Sequence, residues 1–216
     1  QMPADIGGVW DEMLAEGRRF WITATSDSHV NVRDGGRDFD PGQYSKTYVW
    51  ARHEAGDILD GMREGRMFAV TGDLIDAMEL TVRTARDADH SAGMGGTLAL
   101  PAGGMMQVEL RVRQPTQANF NGQRPALDHI ELIVGSGGGD HREPQMVVKR
   151  FGPGEWKNDG QWRSLSWELP APRHGGFVRA RGTNTSEISP SADIPGEDPW
   201  QDLWFYSNPV FIEVAR

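Results

Sequence analysis

The sequence has 216 residues, of which 38% are hydrophobic and 25% charged, a balance typical of a chain that folds around a buried core. The formal net charge is −9 and no basic run stands out, which argues against nucleic acid and anionic membranes as main partners. The absence of cysteine excludes disulfides and thiolate zinc sites, and no apolar run approaches the roughly 20 residues of a membrane span.

An amphipathic helix is predicted near the N-terminus. Apolar residues recur at helical spacing over residues 6–14. Asp5 suits the N-cap of this helix and Gly17 its stop, whereas Gly7 and Gly8 weaken its first turn.

An apolar run over residues 20–25 predicts a buried strand, and Ser26-Asp27-Ser28-His29 follows it. A helix followed at once by such a strand is the αβ half of a parallel α/β unit, in which functional residues gather at the carboxyl ends of strands. Because alternate residues leave a strand on the same side, Asp27 and His29 can converge on one metal ion. Taken alone, Asp-x-His is more often a strand end followed by a polar turn.

A polar loop over residues 30–46 comes next. Long loops that leave the carboxyl end of a strand often cover a site, and the alternative is a solvated surface excursion. If the loop covers a site, we expect Arg33, Arg37 and Asp40 to contact the substrate.

Beyond the loop, the pattern changes from helical to β. A short strand is predicted at residues 47–51, a helix at 53–64 and a strand at 66–71. From about residue 76, apolar and polar residues alternate in short runs, which is typical of half-buried antiparallel strands. About seven strands at this spacing predict a β-sandwich. Their predicted ranges are 77–84, 106–113, 128–134, 145–150, 161–169, 176–182 and 203–214.

Three segments, in this order, resemble the C-terminal end of a PHP domain (polymerase and histidinol phosphatase superfamily). The first is the helix and strand that end in Ser26-Asp27-Ser28-His29. The second is residues 47–51 (Thr-Tyr-Val-Trp-Ala), and the third is residues 58–66 with 68–72. The set is most similar to the CehA/McbA-type metallohydrolase branch. Residues 179–183 (Arg-Ala-Arg-Gly-Thr) and 206–211 (Tyr-Ser-Asn-Pro-Val-Phe) also resemble the β-rich end of such proteins.

This resemblance implies a metal-dependent hydrolase, often a phosphoesterase, that acts on a small-molecule substrate. It implies a distorted seven-stranded (β/α) barrel holding two or three divalent ions, such as Zn, Mn or Fe, that polarise the scissile group and activate a water. Asp27 and His29 match the last metal-binding motif of the family. The resemblance also points to an exported, periplasmic bacterial protein.

The resulting fold class is α+β and mainly β. Residues 1–75 are predicted to be the closing helix–strand–helix piece of the PHP-type barrel, and residues 76–216 an antiparallel β-sandwich domain.

The sequence lacks the other ligands of the family, including a motif that contains His-x-His. Of its six histidines, only His29 lies in a ligand motif. We expect His90, His129, His141 and His174 at the surface. Because tight metal binding takes three or four protein ligands, we expect a C-terminal fragment of a larger hydrolase. Alone it should be inactive and bind metal weakly or not at all.

Two alternatives remain open, a binding module and a purely structural sandwich. Exposed, coplanar tryptophans would favour the recognition of a carbohydrate or a protein, although buried sandwich tryptophans are commoner. The candidates are Trp156, Trp162, Trp167, Trp200 and Trp204. An apolar patch around Phe20 and Ile22 would be exposed without barrel neighbours, and a homo-oligomer would cover it.

Overall fold

The fold is given by a computed structural model that describes residues 3–26, 28, 39–85, 87–101, 103–137, 145–190 and 198–215. The helices are α1 (Val9–Ala15) and α2 (Ala55–Arg63). The first strands are β1 (Ser45–Val49), β2 (Met67–Thr71), β3 (Ala77–Thr84), β4 (Asp87–Gly93), β5 (Thr97–Pro101) and β6 (Met105–Arg113). The others are β7 (His129–Ser136), β8 (Gln145–Phe151), β9 (Lys157–Asp159), β10 (Trp162–Pro170), β11 (Gly176–Thr183), β12 (Trp204–Ser207) and β13 (Val210–Ala215).

The strands form two sheets that pack face to face. The small sheet has the order β4-β3-β6-β10-β9. In the large sheet, β7 lies between β8 and β11. The other edge of β11 pairs with both β12 and β13. Beyond β12 lie β2 and then β1, and beyond β13 lies β5. All neighbours are antiparallel except β13 and β5. The mainly β sandwich predicted from the sequence is therefore confirmed.

The main core lies between the sheets and follows from the alternation along their strands. In β3, Met78, Leu80 and Val82 are buried, and the residues between them are partly exposed. On the large sheet, Phe68 and Val70 of β2 face the same core. This pattern is the one that predicted the strands, because a sheet with one buried face alternates apolar and polar residues.

All seven strands predicted beyond residue 76 are present, but the last is divided. Residues 203–214 form β12 and β13, which are separated by Asn208 and Pro209. Proline has no backbone N–H to donate to a sheet, and the Asn208 side chain is used for other contacts. Strands β4, β5 and β9 were not predicted.

Both helices end where the sequence indicates. Gly17 and Gly65 have φ values of 82° and 73°, a left-handed conformation that favours glycine. Helix α1 is shorter than predicted, because it begins at Val9 with Gly8 rather than Asp5 at its N-cap. No helix in the described part of the chain is long and apolar enough to cross a membrane.

The strand predicted at residues 20–25 is wrong, since this segment belongs to no strand. The Ile22 N–H donates to Asn208 Oδ1 at 2.9 Å, and its carbonyl accepts from Asn208 Nδ2 at 3.2 Å. The Ala24 N–H and carbonyl pair likewise with Thr47 Oγ1, at 2.8 and 2.9 Å. Asn208 follows β12, and Thr47 lies in β1 on the far side of β2. Residues 20–26, the crossing segment, therefore run across the large sheet.

A third layer covers the outer face of the large sheet. Helix α1 and the crossing segment pack there around Trp10, Leu14 and Ile22, against Phe177 and Phe211 of the sheet. Of the apolar patch predicted around Phe20 and Ile22, Ile22 is covered, at 7% exposed, whereas Phe20 is only half-buried. Self-association stays a prediction.

One buried ion pair and one buried hydrogen bond join this layer to β11, and a second ion pair joins β11 to β7. Arg179 Nε and Nη2 donate to the two carboxylate oxygens of Asp11 at 2.6 and 2.7 Å, and both side chains are fully buried. Arg181 Nε donates to Glu131 Oε2 at 2.6 Å, and Arg150 holds the other oxygen at 2.7 Å. Arg181 also donates to the Ala4 carbonyl.

The large sheet continues across the boundary predicted between residues 75 and 76. Strand β2, from the predicted barrel piece, pairs with β12 from the predicted sandwich domain. The origin of residues 1–75 as part of a barrel stays a prediction.

Loss of the Asp11 carboxylate should destabilise the fold strongly. We expect Asp11→Ala to lower the free energy of unfolding by about 3–5 kcal/mol, because Arg179 is left buried and unpaired. Replacing both partners by apolar residues, Asp11→Leu with Arg179→Met, should cost less. The exposed Arg18–Glu16 pair is the control, and Glu16→Ala should cost at most about 1 kcal/mol in chemical denaturation. A small effect of Asp11→Ala would contradict this assignment.

Glu131 should make the stability of the fold depend on pH in the acidic range. Burial alone would raise the pKa of its carboxyl, but the hydrogen bond from Arg150 and the charge of Arg181 outweigh burial, so the pKa lies below the ordinary 4.5. A carboxylate with a lowered pKa stabilises the fold above its unfolded pKa, and this contribution is lost as pH falls through the folded value. We expect Glu131→Gln to flatten the fall in stability below about pH 4.5. Glu168→Gln, at an exposed position of β10, is the matched control, and denaturation midpoints of the two variants are compared at each pH.

Candidate functional site

Asp27, His29, Arg33 and Arg37 lie outside the described residues. Asp40 is described, and its backbone N–H donates to Gln43 Oε1 at 3.0 Å. Whether these five residues form one site therefore stays a prediction. The structure does show where the flanking chain lies.

A cavity of about 690 Å³ lies beside the crossing segment, on the outer face of the large sheet. The crossing segment supplies much of one wall, and β2 and β12 supply another. The loop before β1 and the chain before β12 complete the lining. The lining residues are Pro3, Phe20, Trp21, Ile22, Thr23, Ala24, Ser26, Phe39, Tyr44, Ser45, Ala69, Val70, Thr71, Pro199, Trp204 and Tyr206.

Two groups of aromatic residues line this cavity. On β12, the Trp204 and Tyr206 rings are nearly parallel, with 12° between their planes and 6.1 Å between their centroids. In the second group, Phe39 stacks on Tyr44 at 4.8 Å. The buried Trp200, which is not a lining residue, meets both rings edge-on from behind the wall. The Tyr44 hydroxyl donates to the Pro199 carbonyl at 2.7 Å, which joins the two connecting segments.

The β12 pair presents carbon to the cavity. Tyr206 Oη and Trp204 Nε1 are buried and have no hydrogen-bond partner among the residues that the structure describes. Burial raises the pKa of Tyr206 above its ordinary value, so its hydroxyl stays protonated. Because both polar atoms are sealed, only the ring carbons of these side chains contribute to the cavity wall.

The described lining is uncharged but carries hydroxyl groups. None of its side chains belongs to Asp, Glu, Lys, Arg or His. Within the described structure, the hydroxyls of Thr23, Ser26 and Ser45 make no hydrogen bond. The Thr71 hydroxyl, by contrast, accepts from the backbone N–H of Trp204 at 2.9 Å. The cavity therefore combines apolar ring surface with hydroxyl groups that are available to a ligand.

The tryptophans proposed as a platform on the sandwich do not form one. Trp156, Trp200 and Trp204 are buried. Trp162 and Trp167 are five residues apart on β10, so they lie on opposite faces of the small sheet. The Arg111 guanidinium lies 4.6 Å from the Trp162 ring, on the outer face.

The described residues contain no group of three or more His, Asp or Glu side chains placed to hold a metal ion. His90 and His174 are exposed, as predicted, and His141 lies outside the described residues. The prediction for His129 is wrong, because this side chain is 3% exposed and its Nδ1 lies 3.0 Å from Asp128 Oδ1. As the first residue of β7, it is covered by the large sheet and the Trp204 ring.

The sequence named Trp204 only as one of several candidate tryptophans, and it gave no role to Tyr206 or Asn208. Both of these lie in residues 206–211, which were noted only for their resemblance to the β-rich end of the hydrolase branch. The signal that could have found the aromatic wall is the spacing of Trp204 and Tyr206, because residues two apart share a face of a strand. No comparable signal marks the crossing segment.

Comparisons with known proteins add no relative to this picture. No family model matches the sequence, and neither the curated proteins nor the solved structures contain a significant match. The resemblance to the PHP superfamily rests on the sequence motifs described above, and it stays a prediction.

The two tyrosines of the cavity should respond in opposite ways to loss of their hydroxyl groups. We expect Tyr206→Phe to be neutral or to raise the free energy of unfolding by about 1 kcal/mol, because its buried hydroxyl has no partner among the described residues. Tyr44→Phe removes the bond to Pro199 and should lower stability by about 1 kcal/mol. Thermal and chemical denaturation measure both. Strong destabilisation by Tyr206→Phe would show that its hydroxyl is paired.

Proposed function

We propose that this chain is part of a metal-dependent hydrolase of the PHP type, and that the cavity receives part of its substrate. One observation carries the link between the cavity and the metal motif. Ser26 and Phe39 flank the stretch that contains Asp27, His29 and the two loop arginines, and both flanking residues line the cavity. A metal held by Asp27 and His29 would therefore act close to a molecule bound in the cavity.

In this proposal, Asp27 supplies an oxygen ligand and His29 a nitrogen ligand. Bound divalent ions would polarise the scissile group and lower the pKa of a water. The described residues contain no further ligand cluster, and two ligands are too few for tight binding. The remaining ligands would come from barrel motifs that this sequence lacks.

Arg33, Arg37 and Asp40 are proposed to contact the reacting group. Guanidinium groups form strong, charge-assisted hydrogen bonds to phosphate and carboxylate oxygens. The described cavity lining has no cation of its own. A negatively charged scissile group would therefore be neutralised by the loop arginines and the metal ions, while the cavity holds the remainder of the substrate.

The direct test measures metal binding and hydrolysis together. Calorimetry with Mn²⁺ and Zn²⁺, and hydrolysis of a nitrophenyl phosphodiester and phosphomonoester, are run on this chain and on the full-length hydrolase of which we propose it is a part. We expect weak or undetectable metal binding by this chain, and activity only in the full-length protein.

Single substitutions test the assigned ligands. In the full-length protein, Asp27→Asn and His29→Gln should each lower activity by at least about 10- to 100-fold, the cost typical of disturbing a metal site. His174→Gln, at an exposed position, is the matched control. Tight stoichiometric metal binding by this chain would overturn its assignment as a partial site. Full activity in either ligand variant would overturn the assignment of Asp27 and His29.

A further inference from the structure

The cavity has the size of a small-molecule site. Its volume of about 690 Å³ lies within the range of about 300–1,000 Å³ that is usual for ligand pockets. One of its walls is held by specific contacts, because Asn208 and Thr47 fix the crossing segment, and the β-sheet forms another. Such walls require little ordering when a ligand enters, which favours binding.

The charge of the lining restricts the ligand. No charged side chain is present among the described residues that line the cavity. Transfer of an ionised group from water into such surroundings is costly unless an opposite charge pairs with it. The part of a ligand that lies against these described residues should therefore be uncharged.

The aromatic rings and the hydroxyl groups of the lining restrict the ligand further. Phe20 and Trp21 of the crossing segment are half-buried and line the cavity, so they offer aromatic carbon surface to a ligand. The negative face of an aromatic ring attracts the positive edges of C–H bonds. The hydroxyls of Thr23, Ser26 and Ser45 each provide one donor and two acceptor positions. A purely apolar aromatic ligand would desolvate these hydroxyls without pairing them, at a cost in affinity.

We propose that the cavity binds an uncharged saccharide ring. A sugar ring has apolar C–H faces that pack on aromatic carbons, and hydroxyl groups at its edge that donate and accept hydrogen bonds. That this saccharide is part of a substrate rests on the proposed hydrolase function. Binding itself rests on the cavity, so it is measured without metal.

The test is a titration of this chain with a panel of uncharged mono- and disaccharides in the presence of EDTA. Calorimetry measures affinity, and tryptophan fluorescence reports on the site because Trp21 and Trp204 line it. We expect at least one saccharide of the panel to bind to the metal-free chain. Naphthol, an uncharged apolar aromatic compound, is the competing ligand.

Variants locate the binding. We expect Ser45→Ala and Thr23→Ala each to weaken saccharide binding about fivefold, the effect of one lost hydrogen bond. Ser91→Ala is the matched control, because Ser91 is exposed on β4 of the small sheet. Circular dichroism confirms that each variant is folded.

Three results would overturn the proposal. These are no binding by any saccharide of the panel, tighter binding of naphthol than of every saccharide, and saccharide binding that Ser45→Ala and Thr23→Ala leave unchanged. Because no metal is present, a failure of binding is distinguishable from a failure of the hydrolase assignment, which is measured by hydrolysis in the full-length protein.

Discussion

The third layer of this protein depends on the buried ion pair between Arg179 and Asp11. Arg179 projects from the outer face of β11, a face that a two-sheet sandwich would leave in water. Burying a guanidinium costs several kcal/mol unless a partner of opposite charge meets it with good geometry. Asp11 does so through two hydrogen bonds, at 2.6 and 2.7 Å. The arginine thus specifies where α1 docks, and loss of either partner leaves an uncompensated charge.

The position of α1 determines where the cavity forms. The chain leaves α1 at Gly17 and turns into the crossing segment, so its start is fixed by the helix. Asn208 and Thr47 then hold the middle of the segment over β2. The cavity is the space that this path leaves beside Trp204 and Tyr206. The crossing segment, which lines the cavity, therefore continues directly from the helix that the Arg179–Asp11 ion pair holds in place.

The strands of the sandwich could be predicted because one face of each is buried. Alternation in β3 and β6 gave their bounds to within a residue. Strand β4 has the sequence Asp-Ala-Asp-His-Ser-Ala-Gly at a sheet edge, so no apolar pattern marks it. Residues 20–25 show the opposite error, because a strand was predicted there and none is present. An apolar run indicates burial, but it does not reveal whether backbone partners come from a strand or from side chains such as Asn208.

The candidate site could be predicted only in part, because its determinants are of two kinds. Asp27 and His29 could be proposed from the sequence because they form a short motif, and their role as metal ligands stays a prediction. The cavity is built from residues 3 to 206, and only tertiary structure brings them together. Nothing in the sequence indicates that Pro3 and Tyr206 line the same cavity.

The uncharged cavity and the charged loop suit different parts of one substrate. A phosphoester has a reacting group that needs cations and a remainder that need not be charged. The residues adjoining the cavity in the chain include Arg33 and Arg37, whereas the described cavity lining is neutral. Contacts to the non-reacting remainder can be used to orient the scissile bond, so binding there would raise the rate as well as the affinity. Under the proposed function, filling the cavity without touching Asp27 or His29 should therefore slow hydrolysis of the true substrate more than that of a small nitrophenyl ester.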